Sequence, residues 1–92
     1  MTLTLRRTVV IVNERGLHAR ASAKFVKTAS QFDASVKVSR DGSTVDAQSI
    51  MGLMMLAAGT GSAIELTAEG AEAEAALDAL SALVENRFEE DR

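Results

Sequence analysis

The chain has 92 residues, 47% of them hydrophobic and 25% charged, a balance typical of one soluble globular domain, here spanning residues 1–92. Because it has no cysteine and a single histidine, it lacks disulfides and thiolate chemistry, and we predict no metal site and no cofactor. The net charge of −3 and only three aromatic residues argue against nucleic acid as a partner. The lack of a signal peptide or a long apolar run predicts a cytoplasmic protein that does not insert into membranes.

The first half of the chain predicts a strand, a helix and a hairpin. "TVVIV" at residues 8–12 is β-branched throughout and indicates a buried strand, and "NERG" then supplies a turn in which Gly16 is free to take positive φ. From Ala19 to about Ser30 the period is helical. The apolar arc is Ala19, Ala23, Phe25, Val26 and Ala29, and the opposite, exposed face carries Arg20, Lys24 and Lys27. Residues 34–39 alternate, and Asp-Gly at 41–42 leads into a return strand.

The second half predicts a short helix, a strand and a long helix. "SIMGLMMLAAG" has Ser49 at its start and Gly59 past its end, and "AIELTA" at 63–68 alternates. Helical periodicity then runs from Ala73 to Phe88, before a tail, "EEDR", that we expect to be solvated. The order predicts an α+β fold, an open-faced βαββαβα sandwich whose four-stranded antiparallel sheet is covered on one face by three helices. Polar residues should line the open face: Ser35, Lys37, Ser39, Glu65 and Thr67.

His18 lies at, or one residue before, the N-cap of the first helix. Amides of a first turn lack intrahelical partners and the helix dipole adds positive potential, so the site favours a neutral, nucleophilic imidazole beside a place for an anion. Arg20 adds a guanidinium that can hold phosphate oxygens by two parallel hydrogen bonds. A phosphoryl group fits these residues best. A surface cap, a metal ligand and a Ser-His-acid triad with Ser22 or Ser49 remain alternatives.

The short second helix is apolar on all sides. Four of its residues suffice to cover a core: Ile50, Leu53, Met54 and Ala57. Met51 and Met55 then fall on the side away from the core, where flexible thioether side chains suit a surface that binds several partners. We therefore expect Met51 and Met55 to dock partner proteins, with Ile50 at the edge of the same surface.

Two segments resemble the histidine-containing phosphocarrier (HPr) family of the phosphoenolpyruvate-dependent phosphotransferase system. They are "GLHARASAKFVKTAS" and "VDAQSIMGLMMLAAGTGSAIELTAEGAEAEAAL", within a resemblance that runs from about Arg7 to Phe88. The family usually has proline where Ala21 stands. Because alanine is a good helix former, we expect the helical turn to survive the difference.

The resemblance implies a carrier rather than an enzyme. By it, Nδ1 of His18 accepts a phosphoryl group from phosphorylated enzyme I, which draws it from phosphoenolpyruvate, and donates it to a histidine of an enzyme IIA. Arg20 would help to hold the phosphate, and Ser49 would be the site of a regulatory kinase and phosphorylase. Lys24 and Lys27 could steer acidic partners.

The sequence leaves three hypotheses about function open. The phosphoryl relay could serve sugar uptake or a nitrogen-regulatory branch that does not transport sugar. The chain could instead be a regulatory binding module that acts through the Ser49 helix, or a small ligand-binding domain without covalent chemistry.

Overall fold

The computed structural model describes residues 3–92, so the first two residues of the predicted 1–92 domain lie outside the described part. Four strands and three helices alternate in the predicted βαββαβα order. The strands are β1 (Leu5–Val10), β2 (Ser35–Arg40), β3 (Ser43–Asp46) and β4 (Ala63–Glu69). The helices are α1 (Ala19–Ala29), α2 (Ile50–Met55) and α3 (Ala73–Glu85), followed by a short turn at Arg87–Glu89.

The strands form one antiparallel sheet in the order β1-β4-β2-β3, with the helices on one face. Side chains alternate across the sheet, so that Val38 and Leu66 are buried beneath the helices while Lys37, Thr67 and Asp46 stand in register on the open face. The predicted polar open face is confirmed. Asp41 and Gly42 both have positive φ, as the predicted Asp-Gly hairpin requires. Within residues 3–92, no helix is long and apolar enough to cross a membrane.

The buried stripe of α1 differs from the predicted arc. The helix buries Ala21, Ser22, Phe25 and Ala29, whereas Ala19 and Ala23 are exposed. The stripe follows the i, i+4, i+8 spacing of Ala21, Phe25 and Ala29. Alanine and serine carry little hydrophobic contrast, so the sequence pattern left the rotation of the helix uncertain and the prediction for Ala19 and Ala23 was wrong.

Two element boundaries also differ from the sequence-based expectation. β1 runs from Leu5 to Val10 and its residues alternate in burial, because only one face of the sheet is covered; Val10 and Val12 are exposed. α3 ends at Glu85 and does not reach Phe88. Instead, Arg87, Phe88 and Glu89 all adopt positive φ, and this left-handed turn places the Phe88 ring fully inside the core.

Candidate functional site

The loop before α1 is held against the loop that follows α2. Gly16 has a φ of +68°, and a Cβ atom there would lie 2.4 Å from the carbonyl oxygen of Ala58. The next residue, Leu17, donates its N–H to the same oxygen at 2.9 Å. Only glycine fits this approach, so Gly16 performs the role predicted for it and fixes the chain as it enters the first helix.

His18 is the N-cap of α1, as its position in the sequence predicts. Its backbone is extended, its Nδ1 accepts the N–H of Arg20 at 3.2 Å, and its carbonyl oxygen accepts the N–H of Ser22 at 2.8 Å. A ring nitrogen that accepts an N–H carries no proton, so the neutral imidazole has its proton on Nε2. The helix begins at Ala19 and buries Ala21 in its first turn, which confirms that the turn survives without proline.

The C-terminal tail folds back onto His18, and the expectation of a solvated tail is wrong at Glu90. Its Oε2 lies 2.5 Å from Nε2 of His18, and its Oε1 accepts the side-chain N–H of Asn13 at 3.0 Å. Both the His18 and Glu90 side chains are only 16% exposed, so the contact between them is largely shielded from water. These contacts give the imidazole one partner on each ring nitrogen.

The pKa of the Glu90 carboxyl is lowered despite its partial burial. Burial alone would raise this pKa, but the hydrogen bonds from Asn13 and His18 and the electrostatic attraction of the His18 ring and of Arg15 together outweigh it. Glu90 is therefore held as a carboxylate, which accepts hydrogen bonds only.

A surface cavity of about 490 Å³ opens beside this pair. It is lined by four basic residues, Arg15, Arg20, Lys24 and Arg92, and by four acidic ones, Glu14, Glu89, Glu90 and Asp91.

The basic residues of α1 differ in exposure. Arg20 is exposed, and within residues 3–92 its guanidinium makes no ion pair, so it can reach an anion. Lys24, predicted to lie on the exposed face, is half-buried, because its Nζ donates to the carbonyl oxygen of Phe88 at 2.8 Å. Lys27 is exposed as predicted.

α2 presents a second surface. Ser49 is the N-cap of this helix, and the Oγ of Ser49 accepts the N–H of Gly52 at 2.9 Å.

Most apolar side chains of α2 are exposed. Met51 is 74% and Met55 79% exposed, as predicted, but Ile50 and Met54 are also about two-fifths exposed and Ala57 is exposed. Of the four residues predicted to cover the core, only Leu53 is buried, because α2 has six residues, fewer than two full turns, and packs against α1 and β3 through one side. We call the four exposed side chains, Ile50, Met51, Met54 and Met55, the methionine face.

The Arg20 backbone N–H contacts the imidazole of His18, and the two serines considered as its partners lie in other contacts. Ser22 is buried and its hydroxyl donates to the carbonyl oxygen of Leu17, while Ser49 caps α2, so neither serine is a partner of the imidazole. Sequence reasoning missed Asn13 and Glu90. Glu90 lies 72 residues from His18 along the chain, in a segment whose composition indicates only a solvated end, so no local signal could have found it.

The chain matches the family described as "PTS HPr component phosphorylation site" over residues 5–86. It is 55% identical over 86 residues to phosphocarrier protein HPr of Cupriavidus necator, covering 94% of this chain and 97% of that protein. To phosphocarrier protein NPr of Shewanella violacea it is 45% identical over 86 residues, covering 94% of each. A crystal structure of HPr from Thermoanaerobacter tengcongensis has a TM-score of 0.91 at 43% identity, covering 96% of this chain and 99% of that one.

The match extends through the loop that carries His18, the helix capped by Ser49 and all four strands. Proteins of this kind carry a phosphoryl group and are not themselves enzymes. The chain therefore belongs to the HPr family, the histidine-phosphorylated carrier proteins of the phosphotransferase system.

Proposed function

We propose that Nδ1 of His18 accepts the phosphoryl group from phosphorylated enzyme I and donates it to a histidine of an enzyme IIA. One observation carries this assignment: the only histidine of the chain caps α1 with the lone pair of Nδ1 directed at a first-turn amide. A lone pair in that position is available to an incoming phosphorus atom once the long, 3.2 Å hydrogen bond is given up.

The surroundings of His18 suit a group that must be both held and released. Once phosphate is bonded to Nδ1, the first-turn amides and the positive end of the helix dipole face its oxygens. Arg20 supplies an exposed guanidinium that can neutralise the group as it arrives. Transfer between two histidines then depends on in-line positioning and charge neutralisation, with no covalent step beyond the exchange itself.

We further propose that enzyme I and the enzyme IIA bury the methionine face when they dock. Support comes from the exposure of four large apolar side chains on one six-residue helix. The loop after α2 lies against the loop that carries His18, so a partner seated on α2 is close to the phosphoryl site. Lys27, exposed in the last turn of α1, adds a positive charge that would attract acidic partners, an attraction that weakens with salt.

Ser49 is the proposed site of a regulatory kinase and phosphorylase. A phosphate there would lie at a helix N-terminus, which tolerates negative charge, and at the edge of the methionine face, where it would interfere with docking. We propose that the carrier serves sugar uptake or its regulation in the cytoplasm, which is what the family resemblance implies. Offering the phosphorylated chain a sugar-specific and a nitrogen-regulatory enzyme IIA in parallel would identify the branch, because only the cognate acceptor should remove the phosphate rapidly.

Incubation of the chain with phosphoenolpyruvate and a catalytic amount of enzyme I tests the proposal. Intact mass should show one added phosphoryl group that is labile in acid and stable in alkali. His18→Ala and His18→Asn should both remain unlabelled. Asn keeps an N-cap acceptor and serves as the folding control. An acid-stable adduct, or labelling of either variant, would place the phosphoryl group elsewhere.

A further inference from the structure

The contact between the tail and the imidazole goes beyond the role of His18 itself. We propose that Glu90 is a positioning residue for phosphoryl transfer: its carboxylate keeps the imidazole proton on Nε2 and balances the positive charge that the ring gains when Nδ1 is phosphorylated. The inference rests on the proposed role of His18 as acceptor. Its geometric basis is the bond between Glu90 Oε2 and His18 Nε2, on the opposite side of the ring from the nitrogen that reacts.

Several contacts hold Glu90 in this place. The Phe88 ring is fully buried, its carbonyl oxygen accepts the Lys24 ammonium at 2.8 Å, and the Arg92 carbonyl oxygen accepts the N–H of Glu14 at 3.0 Å. Between these anchors Asn13, which is fully buried, donates to Glu90 Oε1. The carboxylate is therefore tied by both oxygens and by the chain on either side of it.

The turn that delivers the tail is conformationally costly. Arg87, Phe88 and Glu89 all have positive φ although none is glycine, and each such residue costs about 1 kcal/mol or more. Burying the Phe88 ring and forming the bonds to Asn13 and His18 offset that cost. Three consecutive left-handed residues persist only where tertiary contacts require them. The tail is therefore held in place by the fold and is not a loosely attached chain end.

The chemistry of transfer gives the carboxylate a defined task. The lone pair of Nδ1 forms the new N–P bond, while the P–N bond to the donor's imidazole breaks and its electron pair returns to the donor ring. The proton on Nε2 stays in place, so the His18 ring changes from neutral to positively charged. A carboxylate bonded to that proton stabilises the charged ring and, before reaction, prevents the tautomer in which Nδ1 is blocked by a proton.

Of the charged groups around the cavity, only Glu90 bonds to the imidazole. The other acidic residues there are Glu14, Glu89 and Asp91, and the basic ones are Arg15, Arg20, Lys24 and Arg92. Within residues 3–92 the Glu89 side chain makes no hydrogen bond and is exposed, although it neighbours Glu90 in the chain. Glu89 is therefore a matched control that carries the same charge in the same segment.

The experiment compares wild type, Glu90→Gln, Glu90→Leu, Glu90→Asp and Glu89→Gln in the full chain. In ¹⁵N spectra of the unphosphorylated protein at alkaline pH, wild type and Glu89→Gln should show a single Nε2–H tautomer, and Glu90→Leu a mixture of both. Single-turnover transfer from phosphorylated enzyme I should slow roughly ten- to a hundredfold in Glu90→Gln and Glu90→Leu, the range that a charge-assisted hydrogen bond supplies. Glu90→Asp should recover part of the rate, and Glu89→Gln should match wild type.

Three results would overturn the proposal. Equal rates for Glu90→Gln and Glu89→Gln would show that the carboxylate does nothing for transfer. Faster transfer in Glu90→Gln would show that the tail obstructs the site. An unchanged tautomer in Glu90→Leu would mean that the Arg20 amide alone determines it. Failure of the proposed function is recognised separately, because it would appear as a wild-type protein that enzyme I does not phosphorylate on His18.

Discussion

Ser49 combines two roles, helix capping and a place at the edge of a docking surface, and two substitutions there should separate them. The Oγ of Ser49 accepts the N–H of Gly52 at 2.9 Å, and Met51, two residues after Ser49, is 74% exposed. Ser49→Ala removes the cap and leaves the edge of the methionine face uncharged. Ser49→Asp keeps an acceptor at the helix N-terminus and adds a negative charge beside the face.

The stabilities of the two variants follow from the cap. Loss of an N-cap acceptor lowers the free energy of unfolding by about 1 kcal/mol, which in a domain of this size lowers Tm by about 4–8 °C. Aspartate is as good an N-cap as serine, and its charge interacts favourably with the helix dipole by about 0.3–1 kcal/mol. Ser49→Ala should therefore melt below wild type, and Ser49→Asp at or above it.

The affinities of the two variants for enzyme I should rank in the opposite order to their melting temperatures. The Ser49→Asp carboxylate must lose water when a partner covers the methionine face, so we expect KM for transfer from enzyme I to rise about tenfold or more, equivalent to roughly 1.4 kcal/mol. Ser49→Ala should keep the KM of wild type despite its lower stability. In both variants the rate at saturation should be unchanged, because neither substitution touches His18 or Arg20.

Circular dichroism melts and initial rates of phosphoenolpyruvate-dependent phosphorylation against carrier concentration measure both quantities. Ser43→Asp, which adds the same charge on the exposed β2–β3 hairpin, controls for net charge. The reasoning fails if Ser49→Asp and Ser43→Asp have the same KM, since the charge would then act at a distance. It also fails if Ser49→Ala melts with wild type, since the Ser49 bond would then contribute nothing.

Three further predictions concern the phosphoryl site and its tail. Arg20→Ala should slow transfer with no change in Tm, and Arg20→Lys should recover only part of the rate because an ammonium lacks the planar fork; equal single-turnover rates in all three proteins would remove Arg20 from the mechanism. Phe88→Ala should lower the free energy of unfolding by about 3–5 kcal/mol, and below its Tm it should also raise hydrogen exchange at Glu90, whereas native-like exchange there would show that the ring does not anchor the tail. Because the folded-state pKa of Glu90 is lowered, its contribution is present at neutral pH and lost as pH falls through that pKa; the Tm difference between wild type and Glu90→Gln should shrink accordingly, and a difference independent of pH would contradict the lowered pKa.

Much of the fold follows from local rules that act over a few residues. Alternation at residues 34–39 and 63–68, the Asp-Gly turn and the helical period after Ala73 define most elements, and their order leaves few ways to cover one sheet face. The N-cap position of His18 and that of Ser49 are equally local, because a cap bonds to amides two or three residues away. The residue pattern alone therefore predicts that His18 and Ser49 begin their helices, and that the helix start at His18 suits an anion.

Other features depend on contacts between distant parts of the chain. The rotation of α1, which buries Ala21 and exposes Ala19 and Ala23, is decided by how Phe25 seats in the core, since small side chains carry almost no hydrophobic signal. The bond between His18 and Glu90 joins residues 72 positions apart through a left-handed turn that the local sequence disfavours. The amino-acid sequence determined which nitrogen-bearing side chain stands at a helix start. Only tertiary packing, by burying Phe88 and turning the tail back, decided which carboxylate stands opposite it.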